Sequence, residues 1–185
     1  METVSYALKL VPALDRPDLL AEPVRDAIVA LGPVGGSIEV AEIDPELADT
    51  AAFCERYEVP PEESANCVLV AGKRAGESRM AAALVLATTR ADVNGALRRL
   101  LDVRKASFAA RDVATGLTGM EYGGITPLGL PDGWPVYVDG AVAAAARVVI
   151  GSGVRRSKLV LAGSVLAALP SVTVVDELAV PVGAG

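Results

Sequence analysis

The residues able to do chemistry in this chain are restricted first by a zero. The sequence contains no histidine, so Ser-His-Asp and Cys-His catalysis and histidine-metal sites are excluded. Carboxylates, lysine, hydroxyls and main-chain amides remain. The segment richest in the last of these is 119–139, where Gly119, Gly123, Gly124, Gly129 and Gly133 alternate with Pro127, Pro131 and Pro135. Glycines allow positive φ and close approach of a ligand to the backbone, while prolines fix φ, so this is a shaped loop and a candidate holder of a ligand. Taken alone, Gly123-Gly-Ile-Thr-Pro127 also reads as a tight turn joining a helix to a strand. Asp139 follows at the end of a short apolar run, placed either to hold an amino group or to cap the next helix. Gly151-Ser-Gly153 is a second glycine turn, a weak phosphate signal by itself. Ser152 is a candidate donor to a substrate oxygen or a plain turn residue.

Other groups carry less. Cys54 and Cys67 lack metal-ligand spacing and read as small buried hydrophobes. Glu55, Glu58, Glu62 and Glu63 read as a solvated face rather than a metal site. A net charge of −6 argues against nonspecific coating of nucleic acid, yet it is unevenly spread. Residues 1–90 carry 8 basic and 15 acidic side chains, and residues 91–185 carry 9 basic and 8 acidic. All nine of the latter basic residues lie between Arg98 and Lys158. Arg98, Arg99 and Arg104, with Arg155, Arg156 and Lys158, are therefore candidates for phosphate contacts or ordinary surface charge.

The elements that must position these groups fit one domain: 185 residues, 52% hydrophobic and 22% charged. No apolar run approaches the ~18 to 20 residues of a membrane span, and the N-terminus does not resemble a signal peptide. The pattern predicts a helix over 17–31 with Asp15 as a possible cap, a strand over 37–43, and a helix from Asp44-Pro45 to about residue 57. Val59-Pro-Pro61 is a stiff connector, which divides the chain into an N-terminal helix-strand-helix part (1–60), a core (61–180) and a frayed tail (181–185). In the core, apolar runs 66–71 and 80–87 predict a buried antiparallel pair joined by a turn at 72–76. A helix starting at Thr89 or Asp92, a strand at 107–109 and a helix over 111–117 lead into the loop. Strands at 136–138, 147–150, 158–161 and 172–175 follow, with short helices between. Short strands and helices without regular β-α alternation indicate an α+β fold.

The order of Gly123-Gly-Ile-Thr-Pro127, Pro127-Leu-Gly-Leu130, Val136-Tyr-Val-Asp139 and Val149-Ile-Gly-Ser-Gly153 resembles the YbaK/EbsC-like aminoacyl-tRNA deacylases, relatives of the editing domain of prolyl-tRNA synthetase. The resemblance covers residues 66–178. It implies a mixed, barrel-like β-sheet surrounded by helices, and a cytoplasmic trans-editing hydrolase that cleaves a mischarged small amino acid from the tRNA 3′ end without metal or cofactor. Under it Gly123 and Gly124 orient the ester, and Pro127, Asp139, Gly151, Ser152 and Gly153 bind substrate. Arg98, Arg99, Arg155, Arg156 and Lys158 contact tRNA phosphates, and a synthetase is a further partner it allows. The family places a lysine at the start of its first core strand, where Asn66 stands here. Asn66 can donate or accept hydrogen bonds but carries no charge. Two readings follow: a deacylase relying on positioned water and main-chain donors, or a noncatalytic module binding tRNA, nucleotide or a synthetase.

Overall fold

The computed structural model describes residues 6–183. β1 (Val11–Pro12) leads through two 3-10 turns into α1 (Glu22–Ala30), and β2 (Glu39–Glu42) leads towards α2 (Thr50–Tyr57). β3 (Ala65–Arg74) and β4 (Glu77–Leu86) form a long hairpin, followed by β5 (Thr89–Ala91). A π-helical turn over Val93–Leu97 then runs into α3 (Arg98–Leu100), and β6 (Ala106–Phe108) precedes α4 (Arg111–Thr118). Beyond the glycine-rich loop come β7 (Val136–Asp139), α5 (Gly140–Ala143), β8 (Val148–Gly151), β9 (Ser157–Leu161), α6 (Gly163–Ala167), β10 (Val172–Val175) and β11 (Ala179–Pro181).

Two sheets dominate. One is ordered β1-β2-β9-β8 and is antiparallel throughout. The other, β10-β7-β4-β3-β6, is mixed: β3 pairs antiparallel with β4 and β6, while β4, β7 and β10 run parallel. A parallel bridge between Ser64 and Val149 joins the sheets at one seam. The expected α+β fold with a mixed sheet and surrounding helices is present, and the described strands close no barrel.

Pleating explains why the chain needs apolar residues on both faces of its strands. Leu69, Ala82, Leu84, Val148, Ile150, Leu159 and Leu161 enter a central core between the sheets, with Val24 and Ile28 of α1. Their strand neighbours Val70, Ala81, Ala83 and Val85 meet Leu97 and Leu101 behind the mixed sheet. Val149 and Val160 meet Phe53 of α2 behind the antiparallel one.

Several local expectations shift for identifiable reasons. The helix expected over 17–31 breaks at Leu20–Ala21, because the Ala21 amide donates to the Ser152 carbonyl (3.2 Å) instead of to a helical acceptor; Asp15 caps nothing there. The expected 44–57 helix divides into a 3-10 turn, capped by Asp44 accepting from the Glu46 amide (3.0 Å), and α2. The β3–β4 turn is tighter than 72–76. Strand pairing reaches Arg74 and Glu77, and Ala75 and Gly76 both take positive φ (50° and 86°), the pattern of a two-residue hairpin turn. Thr89 lies in β5, opposite Pro181 of β11, and Asp92 caps the following turn by accepting from the Gly95 and Ala96 amides. The expected tail thus begins inside a paired strand, and residues 184–185 lie outside the described ones.

Candidate active site

The glycine-rich loop is held by another loop. Glu121 donates its amide to the Gly153 carbonyl (2.8 Å), and Gly153 returns one to Gly124 (2.7 Å). The Glu121 carboxylate accepts from the Arg155 amide (2.7 Å), and the Arg155 guanidinium donates to the Tyr122 and Pro45 carbonyls (3.3 and 3.0 Å). This stitching explains two glycines. A Cβ at Gly151 would lie 2.5 Å from the Gly124 carbonyl oxygen, and one at Gly124 would lie 2.7 Å from the Val154 backbone. The side-chain-free positions serve backbone-to-backbone contact. They also correct one expectation: the Gly124 amide already donates to Glu121 (3.0 Å) and is not available to an ester. Gly123, at φ 86°, stays exposed, and no hydrogen bond among the described residues engages its amide.

Beside this double loop, at the seam where β3 passes β8, lies a cavity of about 290 Å³. Asn66 through Leu69 of β3 form one wall, Asp49 and Thr50 at the start of α2 another, and Gly123, Gly151 and Lys158 a third. Asn66 accepts from the Thr50 hydroxyl (2.7 Å) through Oδ1, which fixes the amide and leaves its NH2 as a donor. Lys158 reaches in from β9. Its ammonium donates to the Ala48 carbonyl (3.2 Å) and lies 5.3 Å from the centre of the Phe53 ring. Burial pushes its pKa down to about 8, assisted by nearby Arg155 and opposed by Cys54 and Asp49. Burial likewise pushes the Cys67 thiol up to about 12, so it stays protonated and inert. At the rim, Phe108 and Tyr122 are 62% and 50% exposed, and the Arg111 guanidinium stacks 4.4 Å from the Tyr122 ring.

The expected site residues therefore divide. Asn66, Gly123, Gly151 and Lys158 share the cavity. Lys158 departs from its expected place on a phosphate-binding surface, because strand alternation sends it to the face carrying Val160 and Phe53. Ser152 is fully buried, and its hydroxyl is spent on Ser157 Oγ (2.6 Å) and the Val154 carbonyl (3.1 Å). Gly153, at φ 87°, packs against Ala21 and Val24 of the N-terminal part. Pro127 is buried in a separate depression with Leu128 and Trp134. Asp139 takes the capping alternative, accepting from the Ala141 amide (3.0 Å) at the start of α5. Arg98 is bent back onto the Asn94 carbonyl (2.9 Å), and it and Arg99 belong to α3, behind the mixed sheet. Arg156 donates to the Asp18 carbonyl. Neither Thr50 nor the Phe108 and Tyr122 rim was singled out by sequence patterning. Lys158 carried a signal, as a lysine leading the apolar run 159–161.

A mixed-sheet α+β scaffold with a small donor-lined cavity beside a glycine–proline loop is the class of molecule defined here. The family model for the aminoacyl-tRNA editing domain matches residues 44–169, and the chain belongs to that family. Among solved structures, it resembles a protein described as a candidate trans-editing enzyme for prolyl-tRNA synthetase (TM-score 0.71, 22% identity, covering 84% of this chain and 94% of that one). It also resembles one described only as hypothetical (TM-score 0.73, 20% identity, 86% and 100%). At these identities the likeness establishes the YbaK-like fold. No curated protein matches the chain. Family membership supports an aminoacyl-tRNA editing function in general.

Proposed function

We propose that the protein is a trans-acting aminoacyl-tRNA deacylase, working in the cytoplasm on the ester that joins a mischarged small amino acid to the tRNA 3′ end. The supporting observation is the seam cavity, which gathers the Asn66 amide and the free Gly123 amide beside an exposed aromatic rim. Its volume of about 290 Å³ suits a small acyl group. Hydrolysis would proceed by attack of water on the carbonyl carbon, with cleavage of the bond to the ribose oxygen, which takes up the proton. Thr50 holds Asn66 so that its NH2 meets the ester, and Gly123 offers a second donor. Tyr122 and Phe108 offer flat faces to the unpaired terminal bases. The test is deacylation of a panel of mischarged tRNAs. Turnover of those bearing small amino acids is expected, and turnover of none overturns the reading.

A second reading rests on Asn66, which lacks the charge of the lysine that the resemblance places there. On that reading the protein binds tRNA, nucleotide or a synthetase without cleaving. Salt-dependent tRNA binding with no deacylation would favour it.

A further inference from the structure

Among the described residues, Lys158 is the only lysine or arginine lining the cavity. Its surroundings make little sense for a structural cation. Of its three donors, one goes to the Ala48 carbonyl, and no carboxylate among the described residues lies within ion-pair distance. A half-buried ammonium whose partners are one carbonyl and the face of the Phe53 ring, with no ion-paired carboxylate, is costly, and methionine would fill the same strand position without that cost. The register makes room for it: its cross-strand neighbours are Gly151 on β8 and Ala41 on β2, so no bulky side chain stands between the lysine stem and the cavity.

Building on the deacylase reading, we propose that Lys158 is the substrate-contacting cation of this site, its ammonium donating a hydrogen bond to the carbonyl oxygen of the acyl ester. When water adds to the carbonyl carbon, the C=O π pair moves onto that oxygen, and the ammonium stabilises the resulting oxyanion. Collapse re-forms the carbonyl and breaks the acyl–O3′ bond. One proton from the attacking water ends on the ribose oxygen, and a second is released as the free amino acid's carboxyl ionises. Lys158 keeps its own protons throughout. The lysine thus acts from β9 on the cavity that Asn66 reaches from β3.

The ammonium must stay charged to work, and several titratable groups face it. These are Asp49 and Cys54 from the α2 side, Arg155 from the segment before β9, Cys67 on β3 and Tyr122 in the loop. Desolvation, helped by Arg155, outweighs Asp49 and Cys54 and brings its proton loss down to about pH 8.

The experiment measures kcat and KM for deacylation across pH 6–9.5, corrected for spontaneous hydrolysis, in the wild type, Lys158→Met, Lys158→Arg and the double variant Asn66→Lys/Lys158→Met. The wild-type kcat is expected to fall as pH rises past about 8. Lys158→Met should lose about 100-fold in kcat with KM within about threefold, and lose that alkaline limb. Lys158→Arg should move the limb to higher pH, and the double variant should recover at least tenfold. An active wild type with an unchanged Lys158→Met kcat, or a loss confined to KM, overturns the role of Lys158 and leaves the deacylase standing. A wild type inactive on every tRNA overturns the deacylase reading itself. If Lys158→Met does not fold, the alkaline limb of Lys158→Arg decides the question.

Discussion

At the scale of single residues, identity mattered less than where each polar atom's partners lie. Ser152 sits in a glycine turn that looks made for a ligand, yet its hydroxyl faces Ser157 and the Val154 carbonyl in full burial. Ser152→Ala should therefore lower stability by about 1–3 kcal/mol in urea denaturation while changing deacylation less than threefold. Gly151→Ala is expected to do both kinds of damage. Its Cβ would meet two carbonyl oxygens within 2.7 Å, so stability should drop by about 1–3 kcal/mol and turnover should fall with it. Lys158 adds a linkage effect of definite sign. Its folded pKa, about 8, lies below the ordinary 10.5, so the unfolded chain binds more protons between those values. Its charge costs about 3 kcal/mol of stability below pH 8, and that cost is relieved as pH rises towards 10.5. Cys67, with its pKa raised to about 12, acts in the opposite sense above pH 9. The difference between wild type and Lys158→Met in urea titrations isolates the lysine: the variant should be the more stable at pH 7, and its advantage should shrink above pH 8.

At the scale of elements, the hydrophobic patterns of β3, β4 and the later strands were legible because both faces are buried and apolar runs have no other use. Helix ends were less so. Nothing local in 17–31 records that the Ala21 amide is claimed by a carbonyl 131 positions away, and a tertiary hydrogen bond of that kind leaves no periodic trace. The same limit hid Thr50, whose role depends on α2 crossing the start of β3. The β3–β4 hairpin gives an element-scale prediction. Ala75 holds φ 50°, a conformation asparagine tolerates better than alanine. Ala75→Asn should raise stability by about 0.5–1 kcal/mol without altering activity, read by thermal unfolding and deacylation side by side.

At the scale of the whole molecule, the basic residues that gather between Arg98 and Lys158 in the sequence are dispersed by the fold. Arg98 and Arg99 lie behind the mixed sheet, and Arg155 and Arg156 are engaged by backbone carbonyls. With a net charge of −6, few phosphates can be met at once. The logarithm of tRNA affinity should fall with the logarithm of salt at a slope shallower than about −3, measured by titration across ionic strength. The architecture has an evolutionary corollary. The 121–125 and 151–155 segments brace one another through reciprocal main-chain bonds, so neither can be reshaped without dislocating the other. The opposite bank of the cavity, Ala48 to Thr50, joins the site through the Thr50–Asn66 and Lys158–Ala48 hydrogen bonds, which involve side chains rather than a reciprocal main-chain pairing. Laboratory selection for a different acyl group should accordingly collect its substitutions along that bank and spare the glycines.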